Sequence, residues 1–131
     1  MKIEKSRVYL YERYTIYMSE NEDKAAGLRY NTDKVKLDLL SPIALIGTAD
    51  VLTFGAKKYD DHNWRKGMKW SVCIGSLLRH LIKFMAGEDL DPESGLPHID
   101  HVACNAMFLQ EYFRVQKKYD DRFKPKIEER Q

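Results

Sequence analysis

Residues 70–87 read WSVCIGSLLRHLIKFMAG and predict the strongest helix of the chain. Large apolar residues recur there at intervals of three and four positions, which is the spacing of one face of an amphipathic α-helix. Ser71 is a suitable N-cap, and Gly87 is a suitable C-terminal stop. The apolar face, expected to pack in a core, consists of Ile74, Leu77, Leu78, Leu81, Ile82 and Met85.

Two further helices are predicted on either side of this one. Ser41 followed by Pro42 is a good helix start, because the serine side chain can cap the helix and proline suits its first position. This helix should end near Gly55. A last long helix should run from about Pro97 to about Tyr119. Its predicted core face consists of Ile99, Val102, Ala103, Ala106, Leu109 and Phe113.

These elements predict an all-α fold, a compact bundle of three to four helices within a single domain of residues 27–119. Residues 1–26 form an N-terminal arm. Its VYLYERYTIYMS segment is rich in aromatic and β-branched residues, which suits a strand, although a helix remains open. Residues 120–131 contain Pro125 and are expected to be a loosely ordered tail.

Composition narrows the class of protein. Hydrophobic residues make up 44% of the chain and charged residues 32%, which is a normal globular balance. A net charge of +2 gives no support for a specific nucleic-acid partner. The two cysteines, Cys73 and Cys104, lie in apolar helical patterns and are expected to be buried free thiols. With no signal-peptide pattern and no apolar run of roughly 18 residues, we expect a cytoplasmic protein without a membrane segment.

Residues 87–105, GEDLDPESGLPHIDHVACN, concentrate polar groups beside the last helix. His98, His101 and Asn105 fall within one narrow sector of that helix, because three and four positions separate them, whereas Asp100 falls well away from it. The loop before them carries four carboxylates within six positions, namely Glu88, Asp89, Asp91 and Glu93.

The preceding helix offers Arg79, His80 and Lys83, and an antiparallel helix pair would bring both polar sets together beside the acidic loop. Carboxylates suit Mg²⁺ or Mn²⁺, and basic side chains bind phosphate oxygens. Together these are the components of a site that cleaves phosphoanhydrides. The alternative is that the carboxylates are solvated loop charges and that Arg79 forms a structural ion pair.

Two established signatures of nucleotide hydrolases are absent. No histidine in the chain is followed by aspartate, as nucleotide hydrolases of the HD type require, and no P-loop sequence occurs.

Three segments resemble a known family. GLRYNTDKVKLDLLSP, VLTFGAKKYDDHNWRKGM and LLRHLIKFMAGEDLDPESGLPHIDHVACNAMFL together are similar to the phage dATP/dGTP diphosphohydrolases, the MazZ-like proteins. The resemblance implies an enzyme that hydrolyses a purine deoxynucleoside triphosphate to the monophosphate and pyrophosphate with a divalent cation. It further implies that dGMP from dGTP supplies the synthesis of aminoadenine nucleotides. The EExxE helix of MazG-type enzymes is missing, so no ligand set is carried over from them.

The chemistry and the motif positions then suggest roles. We expect Glu88, Asp91 and Glu93 as metal ligands, or one of them as the base, with His98 and His101 as additional ligands that would make Mn²⁺ or Co²⁺ acceptable. Glu88, Glu93 and His80 are the catalytic candidates. The substrate-binding candidates are Lys57, Lys58, Arg79 and Lys83 for the triphosphate, Asn63 and Trp64 for the base or sugar, and Asn105.

Three alternatives stay open. Trp64 could instead anchor its loop on the core, and Lys57 and Lys58 could be solvated charges at a helix end. The rival function is a non-catalytic phage protein that binds a nucleotide or a host partner. The aromatic arm also suggests a homo-oligomer, a dimer or a tetramer.

Overall fold

The computed structural model describes residues 12–13, 29–30 and 32–125, and within them the fold is all-α, as predicted. The helices are α1 (Pro42–Lys58), α2 (Trp70–Met85) and α3 (His98–Val115). Short 3-10 turns cover Leu37–Leu39, Asn63–Lys66 and Lys117–Tyr119. The described residues contain no strand, and a single isolated bridge joins Leu90 to Pro97.

The predicted strand of the N-terminal arm lies outside the described residues, except for Glu12 and Arg13, which are helical. Among the described helices, none has both the length and the apolarity needed to cross a lipid bilayer.

Helix α1 starts where the sequence predicts. The Ser41 hydroxyl accepts a hydrogen bond from the Ala44 N–H at 3.2 Å, and Pro42 occupies the first helical position. The helix continues past Gly55 to Lys58, so both lysines of its last turn lie at the end where cations suit the helix dipole.

Helix α2 begins two residues earlier than the predicted Ser71 cap implies, and the side chain that caps it comes from a distant part of the chain. Ser71 lies inside the helix rather than at the N-cap, and its N–H and hydroxyl both donate to the carboxylate of Asp121. The guanidinium of Arg122 lies over the Trp70 ring at 4.9 Å. The first residues of the predicted tail therefore pack against the start of α2.

Helix α3 is the central element, because it packs against both α1 and α2. Contacts between Trp70 and Gln116 at one end, and between His80 and His98 at the other, make α2 and α3 antiparallel. Helix α1 approaches α3 closely at Gly47, where a Cβ atom would lie 2.6 Å from the Asp100 carboxylate. Only glycine fits this crossing without displacing Asp100.

The core cluster joins the start of α2 to the end of α3. Trp70, Cys73 and Tyr112 are its buried members, and the Tyr112 hydroxyl donates to the Trp64 carbonyl. Both cysteines are buried and free, as predicted. Burial raises the pKa of the Cys73 thiol to about 11, and burial together with the nearby Cys73 raises the pKa of Cys104 to about 12.

The predicted core faces of α2 and α3 are correct only in part. Ile74 and Leu109 pack against the core cluster, whereas four of the residues predicted on α2 and three of those on α3 are exposed, namely Leu78, Leu81, Ile82, Met85, Ile99, Ala103 and Phe113. On α2, Ile82 is 57% exposed and Met85 79%, whereas the buried residues are Trp70 and Cys73. On α3 the buried residues are His98, His101, Cys104 and Tyr112. Helix α3 thus turns its more polar face toward its neighbours, which positions the histidines inside the fold.

Candidate functional site

A cavity of about 720 Å³ lies between α1, the segment that follows it, and the inner faces of α2 and α3. Its wall contains both polar and apolar residues. The polar residues include Lys58, Ser76, His80, Asp91, Glu93, His101 and Asn105. The apolar residues include Val51, Leu52, Phe54, Met68, Met107 and Phe108.

Three histidines from two helices converge beside the cavity. His80 Nδ1 lies 2.8 Å from His98 Nδ1, and the rings of His80 and His101 stack with centroids 4.2 Å apart and 4° between their planes. His98 is 0% exposed and His101 is 8% exposed. The spacing of three positions along α3 places both of its histidines on the face that meets α2.

Glu88 forms a hydrogen bond with the buried His98 at the ring nitrogen that His80 does not contact. Its carboxylate lies 2.8 Å from His98 Nε2. Because a carboxylate only accepts, His98 donates through Nε2–H, and in its neutral form its Nδ1 then accepts from His80 Nδ1–H. That arrangement leaves the lone pair of His80 on Nε2. Glu88, His98 and His80 thus form one continuous chain of hydrogen bonds.

Asp91 and Ser94 complete the cluster beside His101. The Ser94 N–H and hydroxyl donate to Asp91 Oδ2 at 3.1 and 2.9 Å, and the Ser94 hydroxyl lies 2.7 Å from His101 Nε2. Burial alone would raise the pKa of Asp91, but the hydrogen bonds from Ser94 and the nearby imidazoles outweigh it, so the pKa lies below its ordinary value. Burial lowers the pKa of His80 and of His101. These shifts favour an anionic carboxylate beside neutral imidazoles, which are the protonation states that bind metal ions.

One subset of this cluster could hold a metal ion. His80, Asp91 and His98 each offer a ligand atom, and these atoms lie within 4.8 Å of one another. Imidazole nitrogen combined with carboxylate oxygen is a donor set for first-row transition metals, whereas Mg²⁺ prefers oxygen alone. The chemistry of the donors therefore fits Mn²⁺ or Co²⁺ better than Mg²⁺.

Lys58 at the end of α1 and Glu93 in the acidic loop form an ion pair that lines the cavity. The Lys58 ammonium lies 3.0 Å from a Glu93 carboxylate oxygen, and the two side chains are 51% and 67% exposed. The hydrogen bond to Glu93 raises the pKa of Lys58. Both side chains line the cavity and are more than half exposed, so an incoming ligand can reach them.

Trp64 already has two stacking partners within the protein. Its ring stacks on Phe108 with centroids 4.7 Å apart, and the Arg65 guanidinium lies over the ring at 4.6 Å. Arg65 is itself held by Glu111 at 2.9 Å. A purine could stack on this indole only by displacing a partner, which favours the alternative that Trp64 anchors its loop.

The structure brings most of the predicted site residues to one place. His98 lies behind the cavity wall, joined to the lining residue His80, and Glu88 is joined to His98. Lys57, Arg79 and Lys83 do not line the cavity. The predicted residues that line the cavity are Lys58, Asn63, Trp64, His80, Asp91, Glu93, His101 and Asn105.

Asn105 and Ser94 illustrate what sequence patterns can reveal. The Asn105 amide donates to Ser76 Oγ at 3.2 Å and to the His101 carbonyl at 2.9 Å, in keeping with its place in the polar sector of α3. Ser94 is not singled out by the sequence patterns. Its position three residues after Asp91, a spacing at which an aspartate side chain can accept from a backbone N–H as an N-cap does, is the signal that could have identified it.

Comparison with known proteins adds a second line of observation. Residues 24–122 match the family model described as dATP/dGTP diphosphohydrolase, N-terminal. A curated dATP/dGTP diphosphohydrolase of Salmonella phage PMBT28 is 31% identical over 96 residues, which cover 73% of this chain and 33% of the relative. The chain therefore spans about a third of the length of that relative. No solved structure matches this chain.

Proposed function

The chain belongs to the dATP/dGTP diphosphohydrolase family, and we propose that it hydrolyses a purine deoxynucleoside triphosphate to the monophosphate and pyrophosphate with the help of a divalent cation. The proposed substrate is dGTP in preference to dATP. In a phage that replaces adenine by aminoadenine, the dGMP produced would supply synthesis of the modified nucleotide.

The observation that carries this proposal is that a cluster of imidazole and carboxylate groups lines the same cavity as several large apolar side chains. A cavity of about 720 Å³ suits a nucleotide-sized ligand, since small-molecule sites span about 300–1,000 Å³. Phe54, Met107 and Phe108 offer an apolar surface for a base, and the cluster of His80, Asp91 and His101 lies on the same cavity. A purine nucleotide likewise combines an apolar base with a charged triphosphate.

His80, Asp91 and His98 would hold the cation, which would take the place of the His80 N–H at His98 Nδ1, while Glu88 orients His98 through the hydrogen bond at Nε2. A divalent cation bound there would neutralise phosphate charge and lower the pKa of a coordinated water. Mn²⁺ and Co²⁺ are the proposed activators, and Mg²⁺ is expected to be weaker because two of the three donors are imidazoles.

The residues of the chain would perform the remaining steps. Among the four basic candidates for the triphosphate, Lys58 is the one that lines the cavity. An incoming phosphate would compete with Glu93 for the Lys58 ammonium and so release the Glu93 carboxylate. Glu93 then accepts a proton from the attacking water as the linkage between the α- and β-phosphates breaks and pyrophosphate leaves. Asn63, which also lines the cavity, is the proposed contact for the base or sugar.

The proposal is tested by incubating the purified protein with dGTP, dATP or GTP and Mn²⁺, Co²⁺ or Mg²⁺, followed by chromatographic analysis of the products. The expected products are dGMP and pyrophosphate. Release of dGDP with phosphate, or of deoxyguanosine with triphosphate, would contradict it. Saturable dGTP binding without turnover in any of the three metals would favour the rival function, a non-catalytic nucleotide-binding protein.

A further inference from the structure

Glu111 is a charged residue of the cavity wall that takes no part in the metal cluster or in the contacts proposed for the triphosphate. It lines the cavity, and its side chain is 33% exposed. Met107 lies four positions before Glu111 on α3 and Phe108 three positions before it, so the three side chains share one side of the helix. The carboxylate therefore stands beside the apolar surface that is proposed to hold the base.

The separation between Glu111 and the histidine cluster suits a nucleotide. Glu111 follows His101 by ten positions on α3, which at a rise of about 1.5 Å per residue is about 15 Å along the helix axis. Both residues line the same cavity. An extended nucleoside triphosphate spans a similar distance from the far edge of its base to its β-phosphate. A ligand whose phosphates reach the cluster can therefore present its base to Glu111.

Arg65, the partner of Glu111, is itself held by three contacts. Its guanidinium donates to Glu111 Oε1 at 2.9 Å and to His62 Nδ1 at 3.0 Å. It also lies over the Trp64 ring, 4.6 Å from the centre. Within the part of the chain that the structure describes, Glu111 Oε2 has no donor. A carboxylate offers about four lone-pair sites, so Glu111 is fixed in place and still able to accept hydrogen bonds through both oxygens.

We propose that Glu111 selects guanine in the substrate, with Arg65 as the residue that positions its carboxylate. The inference rests on the purine nucleotide substrate of the proposed function. The Watson–Crick edge of guanine carries two adjacent donors, N1–H and the 2-amino group, and a carboxylate accepts from both. Adenine has a lone pair at N1 and no 2-amino group, so the carboxylate of Glu111 would face an acceptor. This mismatch penalises adenine.

The first test compares three bases that differ at this edge. Hypoxanthine keeps N1–H but lacks the 2-amino group, and adenine lacks both donors. We expect kcat/KM with Mn²⁺ to fall at least about tenfold from dGTP to dITP and further to dATP, because each missing donor leaves the carboxylate without a hydrogen bond. Titration calorimetry with dGMP, dIMP and dAMP measures the same order of preference without any turnover.

Glu111→Gln changes one acceptor into a donor at nearly the same size. The new amide would oppose one of the two donors of guanine, whereas it can donate to adenine N1 and accept from the adenine 6-amino group. We expect kcat/KM for dGTP to fall about 100-fold while that for dATP does not fall. The substitution is on a partly exposed side chain, so the fold should be retained, and helix content by circular dichroism checks this.

Two further variants separate base selection from a structural ion pair. Arg65→Gln breaks the same pair but keeps the Glu111 carboxylate, so it should lower dGTP turnover less than Glu111→Gln does and retain the preference for guanine. A purely structural pair would give both variants the same loss with all three nucleotides, which would overturn the inference. Asp50→Asn, on an exposed carboxylate of α1 that does not line the cavity, should behave as the parent.

The remaining outcomes distinguish this inference from the proposed function. An unchanged ratio of dGTP to dATP turnover in Glu111→Gln would overturn the inference and leave the proposed function intact. Preferential binding of dGMP that is lost in Glu111→Gln, in a protein that hydrolyses no triphosphate, would support the inference and contradict the proposed function. A protein that neither binds the three monophosphates nor hydrolyses the triphosphates would overturn both.

Discussion

The Nδ1 atoms of His80 and His98 lie 2.8 Å apart, although 18 positions separate the two residues in the sequence. The contact joins the last part of α2 to the first turn of α3, with His98 fully buried between His80 and Glu88. A buried imidazole with both nitrogens engaged has a fixed orientation. The metal-binding and catalytic expectations for this protein depend on that orientation.

His98→Gln should weaken the binding of Co²⁺ or Mn²⁺ by at least about tenfold, because glutamine fills similar space but lacks an imidazole nitrogen. Isothermal titration calorimetry, or the visible absorption of bound Co²⁺, measures the affinity without any substrate. His62→Gln is the matched control, since His62 Nδ1 accepts from Arg65 outside the cluster. Equal affinities in the two variants would remove His98 from the metal site.

Glu93→Gln should lower kcat for dGTP by about 100-fold if its carboxylate accepts the proton of the attacking water, which is the usual contribution of a general base. The urea midpoint should stay nearly unchanged, because exposed ion pairs contribute little to stability. Asp89→Asn, on an exposed carboxylate of the same loop, should retain activity. If Glu93→Gln turns over dGTP as fast as the parent protein, another group is the base.

The two thiols should resist alkylation in the folded protein. Burial raises the pKa of Cys73 to about 11 and, with the added effect of Cys73, that of Cys104 to about 12, so the reactive thiolate is scarce at pH 8. Iodoacetamide should therefore modify native protein at least about 100-fold more slowly than urea-unfolded protein. Mass spectrometry follows the labelling. Rapid, stoichiometric modification of the native chain would show that these sites open readily.

Asp121→Ala should reduce the free energy of unfolding at pH 7, because the Asp121 carboxylate accepts from both the Ser71 hydroxyl and the Ser71 N–H. Those hydrogen bonds hold the pKa of Asp121 below its ordinary value. The folded-state pKa lies below the unfolded one, so this stabilisation is complete above about pH 4 and is lost as pH falls through the folded value.

The measurement for Asp121 is the difference in urea midpoint between Asp121→Ala and the parent at several pH values. The difference should shrink as the pH drops below about 4, because the carboxyl then protonates first in the unfolded chain and, at lower pH, in the folded chain as well. Asp60→Ala, at an exposed loop position, should show no such trend. A difference that does not vary with pH would mean that the charge of Asp121 is unimportant to the cap.

Local sequence rules predicted the helices and their polar faces better than they predicted which residues pack against the helices. The Ser41–Pro42 start and the polar sector of α3 depend on contacts within a few residues, and both are present in the structure. The cap of α2 could not be predicted, because Asp121 lies 50 positions from Ser71. Periodicity likewise identified the apolar stripe of α2 but not what covers it, because the period of a helix is the same whether its own chain or another molecule packs on it.

The cluster of histidines was predictable in outline. The spacing of His98, His101 and Asn105 predicts a common face, and an antiparallel pair brings that face to His80. The distant basic residues were less predictable. Arg79 and Lys83 lie on the same helix as His80 but do not line the cavity, whereas Lys58 does. Residue type alone does not distinguish these three basic residues.

Added salt weakens the ion pair between Lys58 and Glu93, which lines the cavity. Both side chains are more than half exposed, so ions at physiological concentration weaken their mutual attraction and compete with a nucleotide for the ammonium group. His98, by contrast, has no exposed surface. Raising the ionic strength should therefore weaken binding of the anionic ligand and leave the buried histidines unaffected. The exposed ion pair and the buried histidines thus differ in their sensitivity to salt.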